Sequence, residues 1–112
     1  MSLSLKEVCE IYLEFSEDNL LSMVDQILKS PEFISGLNQL NPNQIKEVRS
    51  REKEIVKKII KRETDYYLKK FKVKSINEFT NIFAKSSTKK LKDVRQKIAR
   101  EVVKEELEKL IT

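Results

Sequence analysis

The sequence predicts an all-α protein, an elongated helical bundle of about five helices that forms one domain over residues 1–112. Three observations predict this fold. The chain of 112 residues contains one Gly and two Pro, too few for the hairpin turns of a sheet. Residues 41–71 have the features of a long amphipathic helix. Short polar side chains suited to N-caps precede apolar repeats of helical period at Ser4, Ser16, Asn41 and Ser75.

Two short helices are predicted at the N-terminus. Ser4 and Glu7 have the spacing of a capping box, and the first helix is expected to be largely buried. Its apolar face consists of Leu5, Val8, Tyr12 and Phe15, and Cys9 beside them is interpreted as a small core residue. Ser16 begins the second helix, and a further short helical segment is predicted over Glu32–Leu37.

A long central helix is predicted over about 42–71, with Asn41 as N-cap, Pro42 at the first position and Gln44 completing a capping box. Its apolar stripe contains Ile45, Val48, Ile55, Val56, Ile59, Ile60, Tyr66, Tyr67 and Phe71. Such a helix is about 45 Å long. A sphere with the radius of gyration of a domain this size is only about 34 Å across. The bundle is therefore either elongated or completed by a second copy, and a homodimer is predicted.

Two further helices follow the central one. Ser75 and Glu78 suggest another capping box, which opens a short helix that covers the core with Ile76, Phe79, Ile82 and Phe83. A long C-terminal helix is predicted over about 88–111. Its inner side is formed by Leu91, Val94, Ile98, Val102, Val103, Leu107 and Leu110.

Charged residues fall within the apolar stripes of both long helices. Arg95 lies near the middle of the C-terminal stripe, and Glu52 and Glu63 lie in the central one. A charge in such a position is costly unless it is paired. We therefore predict a structural ion pair from Arg95 to Glu52 or Glu63 that fixes the register of the two helices. A polar contact across a dimer seam and a ligand or catalytic site are the alternatives.

The composition argues against several classes of function. The absence of His, the single Cys and the single Gly argue against a disulfide, a zinc site, a phosphate-binding glycine loop and the commonest general base. We therefore expect no enzyme activity, cofactor, metal or small-molecule substrate. The sequence contains no signal peptide and no run of 18 apolar residues, so we expect a cytoplasmic protein without a membrane partner.

Charge is distributed unevenly along the chain. Residues 1–44 contain seven acidic and two basic side chains, while the remainder contains 11 acidic and 21 basic ones. Such asymmetry is typical of proteins with a polyanionic partner. The candidate anion-binding residues form a basic ridge on the outer face of the central helix and a lysine-rich turn before the last helix. The ridge consists of Arg51, Lys57, Lys58, Lys61, Arg62, Lys69 and Lys72, and the turn of Lys85, Ser87, Thr88, Lys89, Lys90 and Lys92.

Two functions from different classes fit these features. The first is a small DNA- or RNA-binding protein that contacts phosphates without base specificity. The second is a helical protein-protein interaction or scaffold subunit that forms a homodimer or docks a partner protein. For both the ridge and the turn, a solvated surface without a ligand is the alternative.

Overall fold

The computed structural model describes residues 2–30 and 41–111, and these residues form six α-helices and no strand. The helices are α1 (Leu5–Glu14), α2 (Glu17–Lys29), α3 (Pro42–Ser50), α4 (Glu52–Phe71), α5 (Ile76–Lys85) and α6 (Thr88–Ile111). The predicted all-α bundle is confirmed, with six helices rather than about five. The helical segment predicted over Glu32–Leu37 lies outside the described residues.

The helix starts follow the capping residues. Ser4 with Glu7 and Asn41 with Gln44 each form both hydrogen bonds of a capping box. At α5, Ser75 Oγ accepts a hydrogen bond from the Glu78 N–H at 3.2 Å. The hydroxyl of Ser16 makes no cap bond and instead donates to the Leu13 carbonyl at 2.8 Å.

The predicted central helix is interrupted at Arg51, which ends α3 and precedes α4 with φ −112° and ψ 22°. The Ser50 hydroxyl donates a hydrogen bond to the Glu47 carbonyl at 2.6 Å. The Arg51 N–H, whose helical partner would be that carbonyl, bonds instead to Val48 O at 3.0 Å. A serine hydroxyl that donates to a carbonyl of the preceding turn competes for that carbonyl with the backbone N–H of the helix. The prediction of one continuous helix over 42–71 is therefore wrong at this residue.

α4 lies at the centre of the bundle and packs against α1, α2 and α6. α3 also packs against α6, so the two parts of the interrupted segment share one neighbour. Most of the predicted apolar stripe of α4 is buried, including Ile55, Val56, Ile59, Ile60 and Tyr67. The bundle measures 44 × 34 × 22 Å along its principal axes, and its longest helix is α6.

α5 covers one side of the core through its aromatic residues. Phe79 has 0% exposure, and its ring centroid lies 5.9 Å from that of Tyr12 and 6.3 Å from that of Tyr67, both edge-on. Phe83 lies 5.2 Å from Phe79 in the same cluster. The aromatic residues of α1, α4 and α5 therefore form one contact network at this end of the bundle.

Within the described ranges, none of the helices is both long enough and apolar enough to cross a membrane.

Candidate nucleic-acid interface and the Glu63–Arg95 cleft

The structure brings Arg95 of α6 against Glu63 of α4. Arg95 Nε donates to Glu63 Oε2 at 2.9 Å, and Arg95 Nη2 donates to Oε1 at 3.1 Å. The remaining Arg95 nitrogen, Nη1, donates to Asn19 Oδ1 of α2 at 3.3 Å. Arg95 thus contacts Glu63 and not Glu52, the other partner considered from the sequence.

This ion pair is buried, with side-chain exposures of 2% for Glu63 and 12% for Arg95. Burial raises the pKa of Glu63, and the hydrogen bonds and charge of Arg95 offset part of that effect. Burial, reinforced by the charge of Glu63, raises the pKa of Tyr67 to about 12. Together, the carboxylate and the guanidinium form a neutral unit in a site that water reaches poorly.

A cleft of about 540 Å³ lies above this pair, and we name it the Glu63–Arg95 cleft. Its lining includes apolar side chains from four helices and the α1–α2 corner: Tyr12, Leu13, Phe15, Tyr67, Phe83 and Leu91. Ser16, Asn19, Thr88 and Lys92 complete the edge. A mostly apolar concavity with a few polar groups has the general form of a ligand or docking site.

Phe15, at the rim of the cleft, corrects the prediction that the first helix is largely buried. Its side chain is 88% exposed, and Ile11 one turn earlier is 43% exposed. Phe15 follows the last residue of α1 with φ −61° and ψ −18°, so its backbone is still helical and the end of the helix does not account for its exposure. Cys9 and Leu13 of the same helix are buried, and burial raises the pKa of the Cys9 thiol.

Three bases of the predicted ridge are engaged by acids of α6. Arg62 donates two hydrogen bonds to Glu105, at 2.9 and 2.8 Å. Lys58 contacts Glu106, and Arg51 lies 3.7 Å from the same carboxylate. Although burial raises the pKa of Glu106, hydrogen bonds from Lys58 and Lys109 outweigh it and hold the pKa below its usual value. These contacts leave Lys57, Lys61, Lys69 and Lys72 as the exposed ridge bases without an ion pair among the described residues.

The predicted lysine-rich turn is divided between two surfaces. Thr88 and Lys92 line the Glu63–Arg95 cleft, whereas Lys85, Ser87 and Lys90 line a second cleft of about 560 Å³. Ser87 Oγ accepts a hydrogen bond from the Lys90 N–H at 3.2 Å, which caps α6. Lys89 is exposed on the same first turn.

The second cleft lies where the end of α4, the start of α6 and α5 meet, and its lining includes Lys85 and Lys90. Further lysines lie nearby in the sequence. We define the basic end as Lys69, Lys70, Lys72, Lys74, Lys85, Lys89 and Lys90. One acid, Glu78, lies within the same stretch of sequence, and one of its oxygens accepts a hydrogen bond from the Lys74 N–H at 2.8 Å. Phe71 lines the cleft with 44% of its surface exposed, and Lys70 Nζ lies 5.7 Å from its ring centroid.

No family model, curated protein or solved structure matches this chain.

Among residues 2–30 and 41–111, no group of three or more acidic or cysteine side chains is placed to hold a metal ion.

From the sequence, residues 66–74, where aromatic and basic side chains alternate, are interpreted as a continuation of the ridge that could stack bases, with a place in the core as the alternative for the aromatic residues. Lys70, Lys74 and Phe71 are not among the candidate anion-binding residues, and Lys70 and Phe71 fall within the apolar arc of a regular helix. In the structure α4 ends at Phe71, and Lys72 adopts a left-handed conformation with φ 50°.

Proposed function

We propose that the protein binds nucleic acid through phosphate contacts at the basic end, without base specificity. The observation that supports this proposal best is the cleft between α4, α5 and α6. Lys85 and Lys90 line it without an ion-pair partner among the described residues. A polyanion at these lysines would displace condensed counterions, which is the main source of sequence-independent affinity.

The basic end is a better candidate than the ridge because its charge is not neutralised within the molecule. Arg51, Lys58 and Arg62 already pair with α6 acids. Withdrawing Arg51 and Lys58 from the buried Glu106 would leave that carboxylate with fewer partners, at a cost in folding free energy. Lys57 and Lys61 remain exposed and extend the positive surface along α4.

Phe71 adds a second kind of contact. Exposed aromatic rings beside lysines stack with unpaired bases, and such stacking is insensitive to sequence. Of the aromatic residues at the end of α4, Tyr67 is buried and Tyr66 is half-buried, so Phe71 offers the most accessible ring. We therefore propose that single-stranded nucleic acid binds more tightly than duplex.

Fluorescence anisotropy tests this function with labelled single-stranded DNA, single-stranded RNA and duplex DNA over a range of salt concentrations. For single strands, the logarithm of affinity should fall with the logarithm of salt by about 0.7 per phosphate contact. The double variant Lys85→Gln/Lys90→Gln should therefore reduce the magnitude of that slope by about 1.4.

The matched control is Lys46→Gln/Lys53→Gln, which removes the same charge from exposed positions on α3 and α4. It should leave the slope nearly unchanged. If the wild-type protein binds none of the probes at low salt, or if both double variants weaken binding equally, a phosphate site at the basic end is ruled out.

A second candidate function is that of a protein-interaction subunit, which we propose on the basis of Phe15. An aromatic side chain that is 88% exposed beside an apolar cleft offers a partner both a projecting ring and a concave surface to contact. Exchange of Phe15 for Ser should abolish protein association and leave nucleic-acid binding at the basic end intact. Pull-down of a partner and anisotropy on the same variant separate the two functions.

A further inference from the structure

The Glu63–Arg95 cleft and Phe15 at its rim form a self-complementary pair of features. We propose that two copies of the chain associate about a two-fold axis along this cleft, so that Phe15 of each copy enters the cleft of the other. This inference rests on the protein-interaction function proposed above and names its partner as a second copy. It does not depend on nucleic-acid binding.

The cleft suits an aromatic side chain. The Phe83 ring centroid lies 5.5 Å from Tyr12 and 5.1 Å from Tyr67, so rings already form its walls at stacking and edge-on distances. Its volume of about 540 Å³ lies in the range of sites that accept a ring. Phe15 of the same chain leaves most of its own surface in water.

The polar base of the cleft also favours an apolar occupant. Both oxygens of Glu63 accept hydrogen bonds from Arg95, and the remaining Arg95 nitrogen donates to Asn19. An apolar ring that covers this network leaves neither charge of the ion pair without a partner. A charged ligand would have to compete with those hydrogen bonds.

The charges on the two sides of the cleft are opposite in sign. The α1–α2 corner carries Glu14, Glu17 and Asp18, and the start of α6 carries Lys89 and Lys92 with Asp93 beside them. The three corner acids and the two lysines make no ion pair among the described residues. A two-fold axis along the cleft places the acidic side of each copy against the basic side of the other. A two-fold axis across the cleft would instead place the acidic sides of the two copies against each other. The charges therefore favour the axis along the cleft.

Sedimentation velocity across a concentration range of about 1–200 µM tests the association, because small interfaces give weak and concentration-dependent dimers. The wild-type chain should shift from monomer to dimer within this range. Phe15→Ala should weaken the dimer by roughly 30-fold, as expected for an aromatic residue at the centre of an interface. Ile11→Ala is the matched control, since Ile11 is an exposed apolar residue of α1, one turn before Phe15, and does not line the cleft.

A charge exchange tests the symmetry. Glu14→Lys and Lys92→Glu should each weaken the homodimer, whereas an equal mixture of the two variants should dimerise as well as wild type. In that mixed dimer both sides of the interface again pair opposite charges. Each new charge lies where the helix dipole favours it, at the end of α1 or near the start of α6, so neither variant should be impaired in folding.

A photoreactive phenylalanine analogue at position 15 distinguishes this inference from the broader docking function. A cross-link to a cleft residue of a second copy supports the inference. A wild-type monomer whose residue 15 cross-links only to another protein, in an extract of the source cells, overturns self-association and leaves docking in place. A monomer that forms no cross-link overturns both, and failure of the mixed variants to dimerise overturns the two-fold arrangement.

Discussion

Removal of Arg95 tests the role of the buried ion pair in holding α4 and α6 together. In Arg95→Leu, the Glu63 carboxylate loses both of its guanidinium hydrogen bonds while its side chain stays almost completely shielded from water. We expect the free energy of unfolding to fall because an unpaired buried charge is strongly unfavourable. Replacing both residues, in Glu63→Leu/Arg95→Leu, removes that charge and should restore most of the loss.

The expected magnitude follows from the burial of the pair. Loss of one partner of a buried ion pair costs about 3–5 kcal/mol. With an m-value of about 2 kcal/mol per molar urea, the unfolding midpoint of Arg95→Leu should fall by about 2 M. Arg100→Leu, at an exposed position on the same helix, should change stability by less than about 0.5 kcal/mol.

The pH dependence gives an independent check of the same reasoning. Burial raises the pKa of Glu63, and without Arg95 that rise is no longer offset. A carboxyl whose pKa is higher in the folded than in the unfolded state stabilises the fold when protonated. The stability deficit of Arg95→Leu should therefore shrink as pH falls through the folded pKa of Glu63 toward 4.5, the reference value.

Urea unfolding followed by circular dichroism at 222 nm, at several pH values, measures all four proteins. A loss below about 1 kcal/mol for Arg95→Leu, or a deficit that does not change with pH, would refute the buried-pair reasoning. A double variant as unstable as the single one would show that packing, not the uncompensated charge, is responsible.

Two further predictions concern the core and the acids of α6. Phe79→Ala should lower the free energy of unfolding by about 3–5 kcal/mol because it leaves a cavity where the rings of Tyr12, Tyr67 and Phe83 meet. A thermal melt that matches wild type would contradict this. The hydrogen bonds from Arg62 lower the pKa of Glu105, and the lysines around Glu106 lower its pKa. The interactions of these two carboxylates stabilise the fold above the reference pKa of 4.5. This stabilisation is lost as pH falls through the lower pKa values that the two groups have in the folded state. Glu105→Gln/Glu106→Gln should accordingly lose less stability than wild type between pH 5 and 3 in urea titrations.

Features set by neighbouring residues could be predicted from the sequence. The capping residues at Ser4, Asn41 and Ser75 and the helical apolar repeats fixed most helix starts and the buried sides of α4 and α6. These depend on interactions within one or two turns, so the sequence contains the information directly.

Features that depend on competition or on distant contacts could not be predicted in this way. The break at Arg51 arises because the Ser50 hydroxyl and the Arg51 N–H compete for the Glu47 carbonyl. The helical spacing of apolar residues contains no information on that competition. The neutralisation of Arg62 by Glu105 requires the register between α4 and α6, which the sequence leaves open. Exposure of Phe15 depends on which side of α1 the neighbouring helices cover, and the apolar spacing within α1 does not specify that.

The contacts along α6 also have a topological consequence. Gln44 donates to the Leu110 carbonyl, Lys58 contacts Glu106 and Arg95 contacts Glu63, so partners appear in opposite order along the two segments. If α6 packed parallel to α3 and α4 instead, Arg95 would lie near the arginines and lysines around the α3–α4 junction. The glutamates near the end of α6 would then lie near Glu63. Apolar surfaces alone would allow α6 to pack in either direction. The arrangement of charged side chains on the two segments disfavours the parallel direction. A redesigned chain with only the α6 signs exchanged should reverse this directional bias even though its apolar surface is untouched.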